Sequence, residues 1–292
     1  MEIHQLHYVD LVATEGSFTA ASRRARVSQS ALSTQVAKLE TELGHRLFER
    51  GRHGAVLTDA GALLIERIRA ALLAVESVSA AAAELSGVVV GPVALGAVVG
   101  CDLPEVAAGM AGFARAHPRA TVAYAEGPSD ALVASLQRGS LDLVLVGHAE
   151  PLPAGIVVTT VMSSDLVVVM PATAARRHVR VADLTDGPLV TLPPGTGVRS
   201  ALDAAARRAG VTVRPEYEVH SSWLALDLVR RGAGLGVLTG GMLASTPAGL
   251  ATVPLQGGGT SHLSLAHRRN PTPATAALSA ALVEEFRGPG GL

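Results

Sequence analysis

The sequence predicts an α/β protein with an all-α-type winged helix-turn-helix domain at its N-terminus, a long linker helix and a two-lobed α/β domain behind it. Three observations lead to this fold class. Residues 16–44 hold two capped helical segments joined by a short turn. Residues 64–85 repeat apolar positions every three or four residues without a proline. From residue 88 onwards, short aliphatic runs alternate with helical stretches, a pattern typical of a parallel sheet flanked by helices.

Composition narrows the classes of function. The 292 residues are enough for two or three domains, and their formal net charge of −1 means that the chain as a whole is not basic. Cys101 is the only cysteine, which excludes an intrachain disulfide. The N-terminus lacks the basic start and apolar run of a signal peptide, and no uninterrupted apolar stretch reaches the length of a membrane span. We therefore expect a soluble, cytoplasmic protein without a membrane partner.

The N-terminal segment is predicted to form three helices. The first spans 3–15. Ser17 is a natural N-cap for a short second helix over 19–25. Ser28 caps a longer third helix that ends at Gly44, where a left-handed glycine is typical. The spacing of the second and third helices predicts a helix-turn-helix.

The third helix has two faces. One is an apolar stripe at helical spacing, formed by Leu32, Val36, Leu39 and Leu43. The other carries an amide, hydroxyls and a cation, which can donate hydrogen bonds to base edges in a major groove or accept them. Its residues are Gln29, Ser30, Ser33, Thr34 and Lys38. A solvated face on an ordinary helical hairpin is the alternative interpretation.

A basic, glycine-broken loop over 47–54 follows, and residues 56–58 can pair back as a strand. This arrangement predicts a wing, with Arg50 and Arg52 placed for phosphates. Because the net charge is near zero, DNA affinity must come from a local basic cluster. That cluster is formed by Arg23, Arg24, Arg26, Lys38, Arg46, Arg50 and Arg52.

The segments GSFTAAS, VSQSALSTQVAKLE, ELGHRLFER and LTDAG, in this order, resemble the N-terminal domain of LysR-type transcriptional regulators. The resemblance is close over about the first 65 residues, and the rest of the chain suits the family in length and layout. Ser30 stands where the family often has proline, and Thr34 where it often has arginine, which bears on the base preference. The DNA-binding residues that the resemblance and the residue pattern imply are Ser17, Ser28, Gln29, Ser30, Ser33, Thr34, Lys38, Arg50, Arg52 and His53.

A long linker helix is predicted from a cap at Thr58 to about residue 85. Its apolar positions follow the 3.5-residue repeat of a coiled-coil seam, which favours a dimer over the alternative of a helix buried within its own chain. The predicted seam consists of Leu64, Ile68, Ala71, Val75, Val78, Ala82 and Leu85. A homodimer is expected from the seam, and a homotetramer from the resemblance alone.

The remainder reads as two sets of α/β elements. The first set has strands predicted over 93–99, 121–127 and 141–147 and helices over 103–117 and 129–138. The second has strands over 165–171, 188–195, 212–219, 234–239 and 263–267 and helices over 198–209, 222–231 and 274–286. Together they resemble the periplasmic-binding-protein-like (type II) effector domain of the family.

The predicted domains follow from these elements. They are 1–58 for the winged helix-turn-helix, 59–87 for the linker helix and 88–292 for the effector domain. Lobe I is expected at about 91–162 and 266–292, and lobe II at about 163–265. The resemblance implies a regulator whose operator binding or activation is modulated by a small metabolite held between these lobes.

The ligand of a two-lobed α/β domain is expected at strand ends and helix starts. Helix starts favour an anion, so a carboxylate-like effector is expected, with Arg199 as its charge partner and Trp223 as an apolar wall. The candidate residues are Gly100, Cys101, Ser129, His148, Thr196, Gly197, Arg199, Ser221, Ser222 and Trp223. The alternatives are a buried filler for Cys101, a core position for Trp223 and a solvated helix face for Arg199.

Two rival functions have weaker support. The stretch 195–200, GTGVRS, with Glu216 and Glu218 about twenty residues on, approaches a dinucleotide fingerprint, but Ser200 replaces its third glycine. A small-molecule binding or transport protein would use the same two lobes, but the helix-turn-helix argues against it. The sequence has no nucleophile elbow, no P-loop and no metal-ligand cluster, so we expect neither an enzyme nor a cofactor.

Overall fold

The computed structural model describes residues 1–51, 54–84, 89–100, 103–243 and 248–288. The chain divides into two compact units, Met1–Ala82 and Ala83–Leu292. Each unit has its own apolar core and is described by itself. No helix in these ranges is long and apolar enough to cross a bilayer.

The first unit is a winged helix-turn-helix with a long helix behind it. Its elements are α1 (Ile3–Glu15), α2 (Phe18–Arg24), α3 (Gln29–Leu43), β1 (Phe48–Gly51), β2 (Gly54–Leu57) and α4 (Asp59–Glu84). The predicted caps are confirmed: the Ser17 and Ser28 hydroxyls accept hydrogen bonds from the amides of Ala20 and Ala31. Gly44 ends α3 in the left-handed region. Arg26 takes the turn between α2 and α3 with φ of 56°.

The first turns of α4 belong to the core of this unit. Ile68 is buried there, and Leu64 packs against it half-buried. Arg69 adds an ion pair with Asp10 of α1, with 2.8 Å between Nε and Oδ1. The core is filled by Leu6, Val9, Val12, Ala21, Leu32, Val36, Leu39, Leu47, Phe48, Ala55, Ile65, Ile68 and Leu72.

The predicted dimer seam is therefore corrected at its start. Leu64 and Ile68 face the core of the first unit, to which α1 also contributes residues. Four seam residues beyond them are exposed, namely Ala71, Val75, Val78 and Ala82. For these four the seam stays a prediction, and Leu85 lies outside the described residues.

The second unit contains most of the strands. Its elements are β3 (Gly91–Val98), α5 (Pro104–Ala116), β4 (Ala120–Gly127), α6 (Ser129–Arg138), β5 (Leu143–His148), β6 (Ile156–Pro171), β7 (Val179–Arg180), β8 (Leu189–Thr191), α7 (Gly197–Ala209), β9 (Tyr217–Glu218), α8 (Ser222–Arg230), β10 (Leu235–Thr239), β11 (Leu250–Gln256), β12 (Thr260–Arg268) and α9 (Pro273–Arg287). The main strand order is β4-β3-β5-β12-β6-β10-β8-β9, and β11 pairs with β6 and β7.

Two long antiparallel strands, the crossing strands β6 and β12, join the lobes. β6 and β12 pair from Thr260 opposite Asp165 to Arg268 opposite Ile156. The first part of β6 lies in lobe I, where β12 also pairs with β5. The second part of β6 lies in lobe II between β10 and β11. Both lobes are therefore anchored on one pair of strands.

Several strands differ from the sequence-based expectation. β7 was not predicted, and the strand expected over 188–195 is confined to Leu189–Thr191. The strand expected over 212–219 is reduced to Tyr217–Glu218, because Pro215 cannot donate to a ladder. β11 was not predicted, since Pro254 argues against a strand, yet it pairs along β6. β6 begins at Ile156 rather than at 165. Its first half was not predicted, because the stretch TTVMSS contains polar residues and gives a weak strand signal.

Two glycines of α5 give a stability prediction. Gly112→Ala is expected to raise the free energy of unfolding by about 0.5–1 kcal/mol, because helix propensity improves and an added Cβ would meet only Arg115 Nη2 at 3.9 Å. Gly109→Ala is expected to lower it by about 1–3 kcal/mol, because the Cβ would lie 2.7 Å from Leu282 Cδ2. Urea denaturation of both variants measures the two shifts. Shifts of the same sign would contradict the packing of α5 on α9.

Candidate DNA-reading surface and interlobe cavity

The polar face of α3 is exposed at most of its predicted positions. Gln29, Ser30, Thr34 and Lys38 are exposed, and Ser33 is half-buried. The Thr34 hydroxyl donates to the Ser30 carbonyl at 2.8 Å, so its proton is used within the helix. Among the described residues, Gln29 and Lys38 have no side-chain hydrogen-bond partner. These two side chains are therefore the most available for an outside partner.

The wing is fixed to the helix-turn-helix by backbone contacts. Glu40 of α3 accepts hydrogen bonds from the amides of Leu47 and Phe48, at 2.7 and 3.2 Å. The Ala55 amide donates to the Gly16 carbonyl at 2.8 Å. A Cβ on Gly54 would lie 2.3 Å from that carbonyl oxygen, so only glycine fits at the base of the wing. The described parts of the wing strands are thus held against the helix-turn-helix.

The predicted basic cluster is only partly available for phosphates. Arg24 pairs with Glu15 at 2.5 Å, so its side chain is partly engaged within the chain. Arg23, Arg26 and Arg46 are exposed and form no ion pair within the described part of the chain. The Arg50 side chain, Arg52 and His53 lie outside the described residues, and their phosphate role stays a prediction. Ser17 and Ser28 use their hydroxyls as helix caps.

A cavity of about 220 Å³ lies between the lobes of the second unit. Elements of both lobes line it, including the start of α7, the start of α8 and the crossing strands. The lining residues are Val98, Val99, Gly100, Leu103, Gly147, Met162, Ser164, Leu192, Thr196, Gly197, Val198, Ser222, Thr239, Gly241, Met242, Ser261, His262 and Leu263.

Four of the predicted effector residues line this cavity: Gly100, Thr196, Gly197 and Ser222. Thr196 also caps α7. Its hydroxyl accepts from the Arg199 amide at 3.3 Å and donates to the Pro193 carbonyl at 2.8 Å. Its neighbour in the prediction, Ser221, is not in the lining and caps α8 through the Leu224 amide.

Arg199 and Trp223 are corrected by the structure. The Arg199 guanidinium donates to Asp203 at 2.9 Å and to Glu218, and it does not line the cavity. It is therefore neither the charge partner of a ligand there nor a solvated side chain, since only 14% of the side chain is exposed. Trp223 is 70% exposed, so it forms neither a cavity wall nor part of the core.

Ser129 and His148 line a different space, an open cavity of about 430 Å³ between α6, the end of β5 and the start of α7. The expected cap at Ser129 is wrong, because Pro128 occupies the N-cap position of α6. The Ser129 hydroxyl instead accepts from the Gly147 amide at 3.1 Å. Cys101 lies outside the described residues.

His148 is held in place by two hydrogen bonds. Its Nδ1 lies 2.9 Å from the Glu150 carbonyl, and its Nε2 lies 2.9 Å from Ser264 Oγ. Burial lowers the pKa of His148 below its ordinary value of 6.5; the Glu150 carbonyl opposes that shift, and His262 adds to it. His148 is therefore expected to be uncharged at neutral pH.

Sequence reasoning missed the contribution of the crossing strands. Ser164 of β6 and Ser261 and His262 of β12 line the cavity. The only feature of the sequence that could have indicated these residues is that polar residues interrupt otherwise aliphatic strands. His262 is the one titratable side chain that the described residues contribute to the lining. Its Nδ1 lies 2.8 Å from Ser163 Oγ, which fixes the ring.

The dinucleotide alternative is wrong. Both candidate acidic residues are already used within lobe II, because Glu216 accepts from the Leu189 amide at 3.0 Å and Glu218 binds Arg199. Across the part of the chain that is described, no group of three His, Cys, Asp or Glu side chains is placed to hold a metal ion.

Comparison with known proteins gives the family. Residues 3–62 match the family described as bacterial regulatory helix-turn-helix protein, lysR family. Residues 87–287 match the LysR substrate binding domain. The RuBisCO operon transcriptional regulator of Allochromatium vinosum is 30% identical over 244 residues, covering 82% of this chain and 80% of the relative. The regulator TfdS of Cupriavidus pinatubonensis is 34% identical over 241 residues, covering 80% of this chain and 81% of TfdS.

Solved structures agree in fold. A full-length OxyR variant from Pseudomonas aeruginosa has a TM-score of 0.72 at 23% identity, with 98% of each chain covered. Full-length CbnR complexed with its target DNA has a TM-score of 0.60 at 22% identity, and the match covers 98% of this chain and 100% of the CbnR chain. The two family matches and the regulators that share about a third of its sequence show that this chain belongs to the LysR family of transcriptional regulators, which are not enzymes.

Proposed function

We propose that this regulator reads operator DNA with α3 and the wing, and that a small, anionic effector held in the interlobe cavity modulates it. The observation that carries the second part is the meeting of two helix N-termini at one cavity. Gly197 at the first position of α7 and Ser222 at the first position of α8 both line it.

Helix starts favour an anion because their amides lack partners and the helix dipole is positive there. α7 has 13 residues and α8 has 9, so both are long enough to contribute. α5 also begins at the cavity, but its first residue, Pro104, has no N–H and Glu105 already places a carboxylate in its first turn. The described lining holds no lysine or arginine. Recognition of charge is therefore assigned to the helix starts, to hydroxyls and to His262.

The Ser164 hydroxyl is ready to donate. It accepts from the Gly241 amide at 2.7 Å, which orients its lone pair towards the backbone. The hydroxyl can then donate a hydrogen bond to a ligand oxygen in the cavity. Met162, Leu192 and Leu263 supply apolar surface on the other walls. The effector is thus expected to combine an ionised group with an apolar body.

The cavity also limits the size of the effector. Its volume of about 220 Å³ is below the ~300 Å³ at which drug-sized pockets begin. A single-ring acid or a short-chain acid matches this space. Larger metabolites would need the lobes to separate.

The partners on the DNA side are a second copy of the chain and double-stranded operator DNA. The exposed seam residues Ala71, Val75, Val78 and Ala82 follow the spacing of a coiled coil along α4. Two linked copies would present two copies of α3 to successive half-sites.

A matched screen tests the effector proposal. We expect benzoate and other small carboxylates to raise the melting temperature of the full-length protein, and their neutral amides, such as benzamide, to leave it unchanged. His262→Gln is expected to weaken acid binding about tenfold, as loss of a hydrogen bond to a charged group does. His267→Gln, in the same strand but outside the lining, is the control. Stabilisation by amides alone would refute the anionic effector.

A further inference from the structure

We infer that three close glycine contacts join the lobes backbone to backbone, so that the closed cleft depends on the absence of a side chain at each of these contacts. The glycine contacts are those of Gly147 with Gly197, of Gly100 with the His220 carbonyl, and of Gly195 with Pro128. The inference rests on the proposed use of the cavity, but the contacts themselves can be tested without any ligand.

The contact of Gly147 with Gly197 joins the end of β5 to the start of α7. A Cβ on Gly147 would lie 2.6 Å from the Gly197 amide nitrogen and 2.9 Å from its Cα. A Cβ on Gly197 would lie 3.0 Å from the Gly147 Cα. Neither glycine has a left-handed φ, so steric fit alone requires glycine here. Any side chain at either position would push the two backbones apart.

The contact of Gly100 with His220 lies between different elements. Gly100 follows β3 in lobe I, and His220 precedes α8 in lobe II. A Cβ on Gly100 would lie 2.4 Å from the His220 carbonyl oxygen. Gly100, Gly147 and Gly197 also line the cavity. Two of the three contacts therefore belong to the cavity wall itself.

The third contact carries a hydrogen bond between the lobes. A Cβ on Gly195 would lie 2.5 Å from the Pro128 Cβ. Next to it, the Ser129 amide of lobe I donates to the Gly195 carbonyl of lobe II at 2.8 Å. This bond exists only while the lobes are together. The Ser129 amide is thus a built-in reporter of lobe separation.

Backbone contacts respond to a ligand differently from side-chain contacts. A side chain in a cavity wall can change rotamer and make room, but a backbone held in a strand end or a helix start cannot. Extra ligand volume on the glycine side of the cavity is then transmitted as a displacement of α7 and α8 relative to lobe I. The walls formed by Met162, Leu192 and Leu263 can instead yield by rotamer changes.

Hydrogen exchange of the full-length protein tests this inference. We expect Gly147→Ala to accelerate exchange of the Ser129 amide about tenfold, because the added Cβ holds the lobes apart. Gly187→Ala is the control, since it lies in lobe II, has no left-handed φ and would meet nothing within 4 Å. The amides of Leu145 and Val168, in the buried strands of the two lobes, monitor global unfolding and are expected to stay protected.

A second pair of variants covers the case in which Gly147→Ala does not fold. Gly195 and Gly210 flank α7, and both have left-handed φ, of 85° and 68°. Gly195→Ala adds a clash with Pro128, whereas Gly210→Ala would meet nothing within 4 Å. Faster Ser129 exchange in Gly195→Ala alone supports the inference. Equal exchange in the two variants, or unchanged Ser129 exchange in a folded Gly147→Ala, overturns it and leaves the anionic effector untouched.

Discussion

Replacing Val78 by glutamate is expected to turn the dimer into a monomer and to weaken operator binding roughly 100-fold, the gain that linking two binding modules typically gives. Val78 is 69% exposed on α4, and Val75, one turn earlier, is also exposed. The core of the first unit does not cover either residue. A glutamate there would place a charge against its symmetry mate in a desolvated seam, which is strongly unfavourable.

Two further variants of α4 make the result specific. Leu63→Glu is the control, because Leu63 is as exposed as Val78 but lies off the repeat. It is expected to leave the dimer intact. Ile68→Glu is expected to unfold the first unit, because Ile68 is buried in its core. Light scattering at low protein concentration measures the oligomeric state of each variant. If the Val78→Glu protein remains a dimer, the exposed residues of the predicted seam do not form the dimer interface.

Replacing Gln29 by alanine is expected to reduce discrimination between operator and random DNA by about 1–3 kcal/mol, the range for a good base contact. Gln29 is exposed at the first position of α3, where a recognition helix enters the major groove. Lys38→Ala is expected to act differently. It should weaken binding to all sequences and lower the salt slope by about one, because a phosphate contact releases a counterion without reading a base.

Arg24→Ala is the matched control for both DNA variants. Arg24 belongs to the same basic cluster, but its side chain is partly engaged by Glu15. Its removal is expected to leave discrimination unchanged and to lower the salt slope by less than Lys38→Ala does. Fluorescence anisotropy with operator and scrambled duplexes at several salt concentrations separates these outcomes. Unchanged selectivity in Gln29→Ala would remove this residue from the reading surface.

The elements that sequence predicted best are those defined by local interactions. Ser17, Ser28 and Gly44 bound their helices through contacts within three or four residues, so the helix ends follow from the sequence itself. The alternating α/β elements of the second unit are equally local. The start of the dimer seam was misjudged because Ile68 is buried in a core that also contains residues of α1, which lies far away in sequence.

The site was harder to predict than the fold. Arg199 is at the start of α7, as expected, but its side chain turns to Asp203 and Glu218. The direction of a side chain around a helix depends on which partners the tertiary structure supplies. Ser261 and His262 were missed for a related reason. Their place in the cavity depends on the register of β12 with β6, including the shift between Leu263 and Ser264, and no local pattern encodes it.

The crossing strands also set the order in which the C-terminal unit can be completed during synthesis. Lobe II is almost continuous in sequence and can close its core before the last residues leave the ribosome. Lobe I cannot, because Leu278 and Leu282 of α9 fill the same core as Val93 and Leu95 of β3. Such long-range contacts slow folding. Until α9 is synthesised, part of the apolar core around β3 stays uncovered, and nascent lobe I is expected to be prone to aggregation during that time.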